Sequence, residues 1–557
     1  MNNSTYFLKP NVVIEPLVDR WYAWSHLISP ATWAMNIVGR HLKIMNSYIQ
    51  SPHLHAAAVQ NPKMLGGPFI DYKGNCVDEI QQLKNLTENR HERLISFANA
   101  IILLDDLLKK KARGFSLESL YSQVPDLLKG YVELVYDLNN NPSFRFYESL
   151  LYQSDFYPQN SQSIALWLTG NDDRPFCLST PQLGREGLLH LEIPFRHQGI
   201  DKLSEMKRSA GSIDEVARLL NINEDDMEQF RTFFTEKSLP GYQKYKGEKT
   251  RMRYFGHACI LLETSDVSIL IDPLISYYGY DSTVDHFSDI DLPDEIDYIL
   301  ITHNHQDHVV LESLLPLRHK VKKIIVPLTK SGSLQDPSLK MALNQCGFYQ
   351  VYELDEMEVI SFGDCTITGI PFLGEHSDLN IRAKICFHIQ MNGFKFLFVA
   401  DSRVLEKKLY EHVQKIIGDI DVLFLGMECE GAPLTWLYGP LLTAEISREN
   451  DQSRRLSGSD YLTGITLVDI FRPSEVYVYA MGQEPWLKFI SSLKYTEESA
   501  PIIESNKLIA ACHKRGLSAE RLYGEKELLY SYKRGEENLM HKTSRQNGLL
   551  NNNKPGY

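Results

Sequence analysis

The 557 residues contain no CxxC pair; the eight cysteines, at 76, 177, 259, 346, 365, 386, 429 and 512, are scattered singly. Several fall in apolar, strand-like runs, where cysteine serves as a small buried hydrophobe, and a reduced, cytoplasmic setting follows. No apolar run approaches the ~18 residues that a membrane-spanning helix needs, so no membrane span is expected. The opening MNNSTYFLKPNVVIEPLVDRW lacks a basic start followed by an apolar core and does not read as a secretory signal. Positive charge is in deficit. With 58 Lys and Arg against 71 Asp and Glu, the net charge is −13, which argues against nucleic acid as the main partner. Glycine and proline are unremarkable, and 43% apolar with 23% charged residues is the make-up of an ordinary globular protein. The length exceeds what one hydrophobic core serves, so two or three domains are expected.

The element pattern changes near residue 245. Residues 1–245 read as a mixed α+β domain. Within it, DEIQQLKNLTENRHERLISFANAIILLDDLLKKKARG places Ile80, Leu83, Leu86, Leu94, Phe97, Ile101, Leu104 and Leu108 at helical spacing. Acidic Asp78 and Glu79 open this segment, Lys109, Lys110 and Lys111 close it, and Gly114 follows, which predicts one long helix. Its later half is apolar almost all round and belongs in a core or a dimer interface. RFYESLLYQ and SIALWLTG read as strands, and a helical pair is expected near 201–236. This half shows no catalytic constellation. SLPGYQKYKGEKTR (238–251) reads as a linker. From there to about residue 530, strands such as SILIDP, YILITH, FKFLFVAD, DVLFLGME and EVYVYAM alternate with helical stretches, which predicts two face-to-face sheets with helices outside. Residues 531–557, ending SRQNGLLNNNKPGY, read as a disordered tail.

The chemistry lies in YILITHNHQDHVVLESLL. An apolar strand runs directly into His303-Asn304-His305-Gln306-Asp307-His308. Alternation along an extended segment points His303 and His305 the same way, and Asp307 and His308, where the chain turns, reach toward a second ion. Imidazoles with a carboxylate suit Zn, Fe or Mn. The competing reading is a group of surface histidines with a capping aspartate before a helix.

HxHxDH is the signature of the metallo-β-lactamase fold superfamily, and the chain from about 250 to 490 resembles it in three further motifs. SILIDP supplies Asp272, which in that fold orients the ligand histidines. FLGEHSDL falls where the third ligand of the first ion stands, and FLFVADS offers Asp401 as the bridging carboxylate. Two departures alter the chemistry. After Gly374 the chain has Glu375 where a histidine is usual, with His376 one place later; His376 is either a rival ligand or a hydrogen-bond partner behind the ligands. In EVYVYAMGQEPW, Met481-Gly482-Gln483 stands where hydrolases carry a final histidine. The ligand set is therefore harder and more anionic. It suits oxygen-activating iron, although His₂Glu also occurs in zinc proteases.

The pattern closely resembles one branch: dinuclear-iron monooxygenases of metallo-β-lactamase fold that β-hydroxylate amino acids bound to nonribosomal peptide synthetases, as in the chloramphenicol pathway. The GEH context, the later aspartate, ECEGAPLTWLYGPL and the size of the amino-terminal domain all look like that family. The resemblance implies an αββα sandwich over 246–530, preceded by a domain for dimerisation and carrier access. It assigns His303, His305 and Glu375 to one iron, Asp307 and His308 to the other, and Asp401 as the bridge of an oxo- or hydroxo-bridged pair. It also implies O2 as co-substrate, an aminoacyl carrier domain as partner with its phosphopantetheine arm entering a tunnel, and a homodimer. The chain shows no flavin, haem or iron–sulfur motif, so the electron donor, a reductase or ferredoxin, is a separate protein. Glu428 and Glu430 are candidates for gating or hydrogen-bonding the cluster, with plain loop acids as the alternative. His257, in FGHAC, is a candidate partner behind the ligands or a core histidine. LLKKKARG and LRHKVKK are candidate docking patches for an acidic carrier.

Two other functions fit parts of this pattern. A dinuclear zinc hydrolase, a lactonase or thioesterase, would use His376 as ligand and a metal-bridging hydroxide as nucleophile. A non-catalytic scaffold would bind a synthetase through the amino-terminal domain and have no use for a complete ligand set.

Overall fold

The computed structural model describes residues 5–531 apart from 172–173, 240 and 280–282. Beyond residue 250 two seven-stranded sheets lie face to face. The first runs in the order Val351–Leu354, Val321–Pro327, Ile296–Leu300, Ser268–Ile271, Cys259–Glu263, Thr250–Gly256 and Lys526–Tyr530. The second runs Val359–Phe362, Cys365–Ile370, Cys386–Met391, Phe394–Phe398, Val422–Gly426, Glu475–Tyr479 and Ser518–Arg521. In each sheet one half is antiparallel and the other parallel. Runs such as Cys259–Glu263 and Val422–Gly426 are buried at every position, so their sequences are continuous rather than alternating. Ile260, Ile269, Leu300, Phe387, Phe396 and Phe424 fill the space between the sheets. Helices Lys407–Ile417, Tyr461–Phe471 and Ala500–Lys514 cover the second sheet. This is the αββα sandwich.

The amino-terminal region builds a four-stranded antiparallel sheet, Trp21–Tyr22, Val12–Val18, Gln162–Leu168 and Leu189–Leu191, with helices around it. Its apolar residues form one continuous core with Phe255, Leu261, Leu270 and Ile299 on the outer face of the first sheet. A buried ion cluster reinforces this junction. Arg174 grips Glu312 with two bonds, at 2.6 and 3.0 Å, and approaches Glu15 at 3.4 Å, while its guanidinium lies 3.5 Å from the centre of the Phe489 ring. Glu312 sits on Leu311–Leu317, the helix that directly follows HxHxDH.

Several expected elements differ. The long helix is two, Val77–Arg90 and Glu92–Lys111, broken at His91 (φ −114°, ψ 23°), whose ring contacts Asp19 and packs edge-on to Trp33. The break takes Leu86 out of the buried stripe and leaves it 66% exposed. RFYESLLYQ is a strand only over Pro142–Phe146 and then turns into the helical Glu148–Leu151, while SIALWLTG is a strand as expected. The pair near 201–236 is three short helices, Gln198–Glu205, Ile213–Leu219 and Met227–Thr232. Within LRHKVKK, Arg318 bonds Asp201 and the carbonyls of Phe195, His197 and Cys346, and Lys322 pairs with Glu295 and Asp297, while His319, Lys322 and Lys323 stay exposed. From residue 532 the expected tail lies outside the described residues. No helix among the described residues is long and apolar enough to cross a membrane.

Arg174→Met leaves Glu15 and Glu312 buried without their shared cation. A loss of about 3–5 kcal/mol in unfolding free energy is expected in urea titrations, and a change under about 1 kcal/mol would contradict the role given to this junction.

Candidate metal centre

The site forms at the carboxyl ends of the central strands, where the backbone turns sharply. His257, Asp272, Ala400 and Ala480 each follow a strand end and each holds a left-handed backbone, with φ of 52°, 40°, 44° and 54°. Non-glycine residues seldom adopt this region, and here it turns the chain into the site four times. Asp272 is fully buried. It accepts from the Thr302 amide (2.7 Å) and hydroxyl (2.6 Å) and faces His308 Nδ1 at 2.8 Å, which fixes the base of the histidine motif.

With Nδ1 of His308 taken by Asp272, its Nε2 points to Asp401 Oδ2 at 3.3 Å; His303 Nε2 lies 3.7 Å from the same oxygen. His305 presents Nδ1 to Glu375 Oε1 at 3.3 Å. Three groups thus have donor atoms within 4.8 Å of one another: His303, His305 and Glu375; His303, His308 and Asp401; and His257, Asp307 and His308. Among the described residues, His303 Nε2, His308 Nε2 and Asp401 Oδ1 are buried without a hydrogen-bond partner. Such orphaned atoms converging on one point are costly unless a cation satisfies them, so the residues fit a dinuclear metal centre.

The charge balance points the same way. Burial pushes the Glu375 carboxyl up to about 7; His305 opposes the shift, and Asp401 and Asp307 reinforce it. Burial takes His305 down to about 4 and His303 well below its usual value, which keeps both in the neutral, ligating form. Burial also disfavours the charged form of His308, but Asp272, Asp307 and Asp401 overcome it and raise the imidazole well above the ordinary range. Burial raises Asp307 likewise, yet His308 and His257 outweigh it and hold the carboxyl low.

Every residue singled out in the sequence, apart from Glu430, stands in or against this cluster. Glu430 is exposed. Glu375 lies in a left-handed turn (Gly374 φ 85°, Glu375 φ 64°, Ser377 φ 55°) that aims its carboxylate at His305. His376 belongs to none of the three donor groups; its ring stacks on His305 with centroids 4.6 Å apart, and its Nδ1 lies 2.9 Å from Glu375 Oε2. At His257, Nδ1 accepts from the Gly482 amide at 3.2 Å, so in the neutral ring the proton sits on Nε2, which faces Asp307 at 3.3 Å. A nitrogen bearing that proton cannot ligate, which makes His257 a donor to Asp307 rather than a ligand. The same contact occupies the place where a hydrolase would carry its final histidine. Glu428 lies behind the cluster, where burial and the Asp401, Asp307 and Glu375 carboxylates raise it well above the usual range. Gly426 closes the floor, since a Cβ there would lie 2.6 Å from Asp401 Oδ1.

The sequence reading missed two contributors. The Tyr438 hydroxyl meets His305 Nε2 at 3.0 Å, and Ser25 donates to the side chain of Asn304. Tyr438 lies within ECEGAPLTWLYGPL, a stretch noted for its likeness but given no role. Ser25 carries no signal in one sequence.

Residues 7–238 match the family model of the diiron non-heme β-hydroxylase N-terminal domain, and residues 251–435 match the β-lactamase superfamily domain. The 4-amino-L-phenylalanyl-[CmlP-peptidyl-carrier-protein] 3-hydroxylase of Streptomyces venezuelae is 36% identical over 528 residues, 93% of this chain and 98% of that protein. The chain belongs to the diiron non-heme β-hydroxylase family. The crystal structure of CmlA, a diiron β-hydroxylase from Streptomyces venezuelae, matches the hydroxylase with a TM-score of 0.88 at 35% identity, covering 94% of this chain and 99% of that one. The UPF0173 protein PYRAB01190 of Pyrococcus abyssi is 36% identical over 123 residues, 22% of this chain and 48% of that protein. The family's cofactor is a pair of irons, used with O2 and an external reductant. The zinc-hydrolase and scaffold readings give way to an oxidative enzyme.

Two outcomes are expected at this site. Gly426→Ala displaces Asp401 and lowers bound metal below two per chain with the fold retained; full metal content by elemental analysis would contradict the packing argument. Metal binding also takes up deprotonated ligands. Glu375, protonated below about 7 in the metal-free hydroxylase, and His308 must each release a proton, whereas His303 and His305 are already neutral. Affinity therefore rises as pH climbs through about 7 and goes on rising above it as His308 loses its proton, and calorimetry in buffers of different ionisation enthalpy should register the released protons.

Proposed function

We propose that this hydroxylase inserts one oxygen atom at the β-carbon of an amino acid held as a phosphopantetheine thioester on the carrier domain of a nonribosomal peptide synthetase. The support is the identity to the Streptomyces venezuelae carrier-bound 3-hydroxylase across nearly the whole of both chains. His303, His305 and Glu375 are proposed to hold one iron, Asp307 and His308 the other, and Asp401 both. Glu375 carries the reading most directly, because a carboxylate, not the imidazole of His376, faces His305 Nδ1.

The diiron pair supplies activation of O2 toward an unactivated C–H bond. The chain's own residues set the conditions. Asp272 holds His308 with Nε2 directed inward, and Thr302, bonded to the same carboxylate, faces His303 Nδ1 at 3.0 Å. His257 donates to Asp307 and steadies that carboxylate. The ligand shell is largely buried, which excludes water from the reacting centre.

The division into 1–245, 246–530 and a terminal tail is proposed on the linker and the two family matches. A homodimer through the amino-terminal domain is proposed on the exposure of Leu86, Leu103 and Phe115. The electron donor is proposed to be a separate reductase or ferredoxin, and a cytoplasmic setting is proposed on eight free thiols. LLKKKARG and the exposed lysines of LRHKVKK are proposed as basic candidates for carrier docking, with Lys109 and Lys110 paired to Asp105 and Asp106.

The decisive experiment supplies iron-loaded, reduced enzyme with 18O2 and an aminoacyl carrier. One 18O atom on the aminoacyl group is the expected result. Iron-loaded protein inert toward a panel of aminoacyl carriers, yet active on the free amino acids, would overturn the carrier assignment.

A further inference from the structure

We propose that a turn of π-helix in the amino-terminal domain is a positioning device for His305, acting through Tyr438. The inference deepens the function proposed above and rests on its reading of His305 as a ligand.

Helix Pro30–Asn36 continues into helix Leu42–Gln50 through a single π turn, Ile37–His41, in which the Leu42 amide bonds the Ile37 carbonyl. One extra residue in a helical turn disturbs the ladder and rotates the side chains that follow, so such turns persist mainly where the re-aiming is used. Two residues of this turn meet the segment 434–441. Gly39 packs so tightly that a Cβ would lie 2.8 Å from Pro440 Cα. Arg40, fully buried, donates to the carbonyls of Trp436 at 2.6 Å and Leu437 at 3.2 Å. Those are the two residues directly before Tyr438, and Trp436 is itself anchored by its indole N–H on the Gly66 carbonyl.

At the far end of this chain of contacts, the Tyr438 hydroxyl lies 3.0 Å from His305 Nε2. With an ion held between Nδ1 and Glu375, the ring proton of His305 would sit on Nε2 and be donated to the tyrosine oxygen. A partner on the non-ligating nitrogen fixes the tautomer and the plane of a ligand imidazole. The residue before His305 is tied to the same domain: Ser25 donates to the Asn304 side chain, and the Asn304 amide bonds the Ala383 carbonyl at 3.1 Å. The amino-terminal domain therefore holds His305 from the side of its ring and from the side of its backbone. Gly39, Arg40, Tyr438 and Ser25 belong to none of the three donor groups, and the contacts of Tyr438 and Ser25 converge on His305 and its neighbour Asn304. The device acts on one half of the centre.

The test is iron affinity of the full-length protein, measured by competition with a chelator, with the optical spectrum of the oxidised form and the melting temperature of the metal-free form alongside. Tyr438→Phe removes one oxygen. A loss of iron affinity of about tenfold or more, with an altered spectrum and an unchanged metal-free melting temperature, is expected. Gly39→Ala pushes on Pro440 and should give the same loss in the wild-type background and none in the Tyr438→Phe background, because both act on one contact. Unchanged affinity in Tyr438→Phe would overturn the proposal, as would a Gly39→Ala loss of equal size in both backgrounds. A wild-type protein that takes up no iron would fail the functional reading instead, and the two failures are distinct.

Discussion

Three carboxylates and three imidazoles buried within a few ångströms of one another make an arrangement that water-free protein does not tolerate alone. Orphaned nitrogens and oxygens face each other across the site, Glu375 is pushed up to about 7, and His308 is likewise raised well above its ordinary range. Burial, reinforced by Asp401 and Asp307, raises the first, and Asp272, Asp307 and Asp401 raise the second. Two divalent cations take up the orphaned atoms and let every carboxylate ionise. The four left-handed turns, the buried Asp272 beneath the histidines and the glycine floor at 426 exist to hold those groups together without them.

The amino-terminal domain is part of this arrangement rather than an appendage to it. Its core is continuous with the outer face of the first sheet, and Arg174 ties it to the helix that leaves the histidine motif. Ser25 and Arg40 reach the neighbours of His305 from the same side. A metallo-β-lactamase sandwich supplies most of the ligand frame, and the additional domain encloses it.

Much of the site was legible because its ligands obey local rules. HxHxDH follows an apolar strand, Asp272 and Asp401 end strands, and Glu375 follows a glycine that forces a turn. The family resemblance, not the residues alone, ranked Glu375 above His376, and the left-handed backbone at 374, 375, 377 and 378 shows how adjacent residues point to different places. Tertiary choices were not legible. Nothing local in VDEIQQLKNLTENRHERLISF announces a break at His91, because the break is set by Asp19 and Trp33 far away in sequence. The basic run at 318–323 reads as a candidate docking patch, yet Arg318 is consumed by carbonyls and Asp201. The role of Tyr438 was equally hidden, since a tyrosine in an apolar segment reads as core.

The proposed oxidative chemistry depends on Glu375 completing the coordination of the nearer iron. An anomalous-difference map at the iron edge from crystals of the iron-loaded protein tests this directly. Two peaks are predicted, one within coordination distance of His303, His305 and a Glu375 oxygen, with the His376 ring stacked beside it and unbound. A peak bonded to His376 with Glu375 turned away would contradict it.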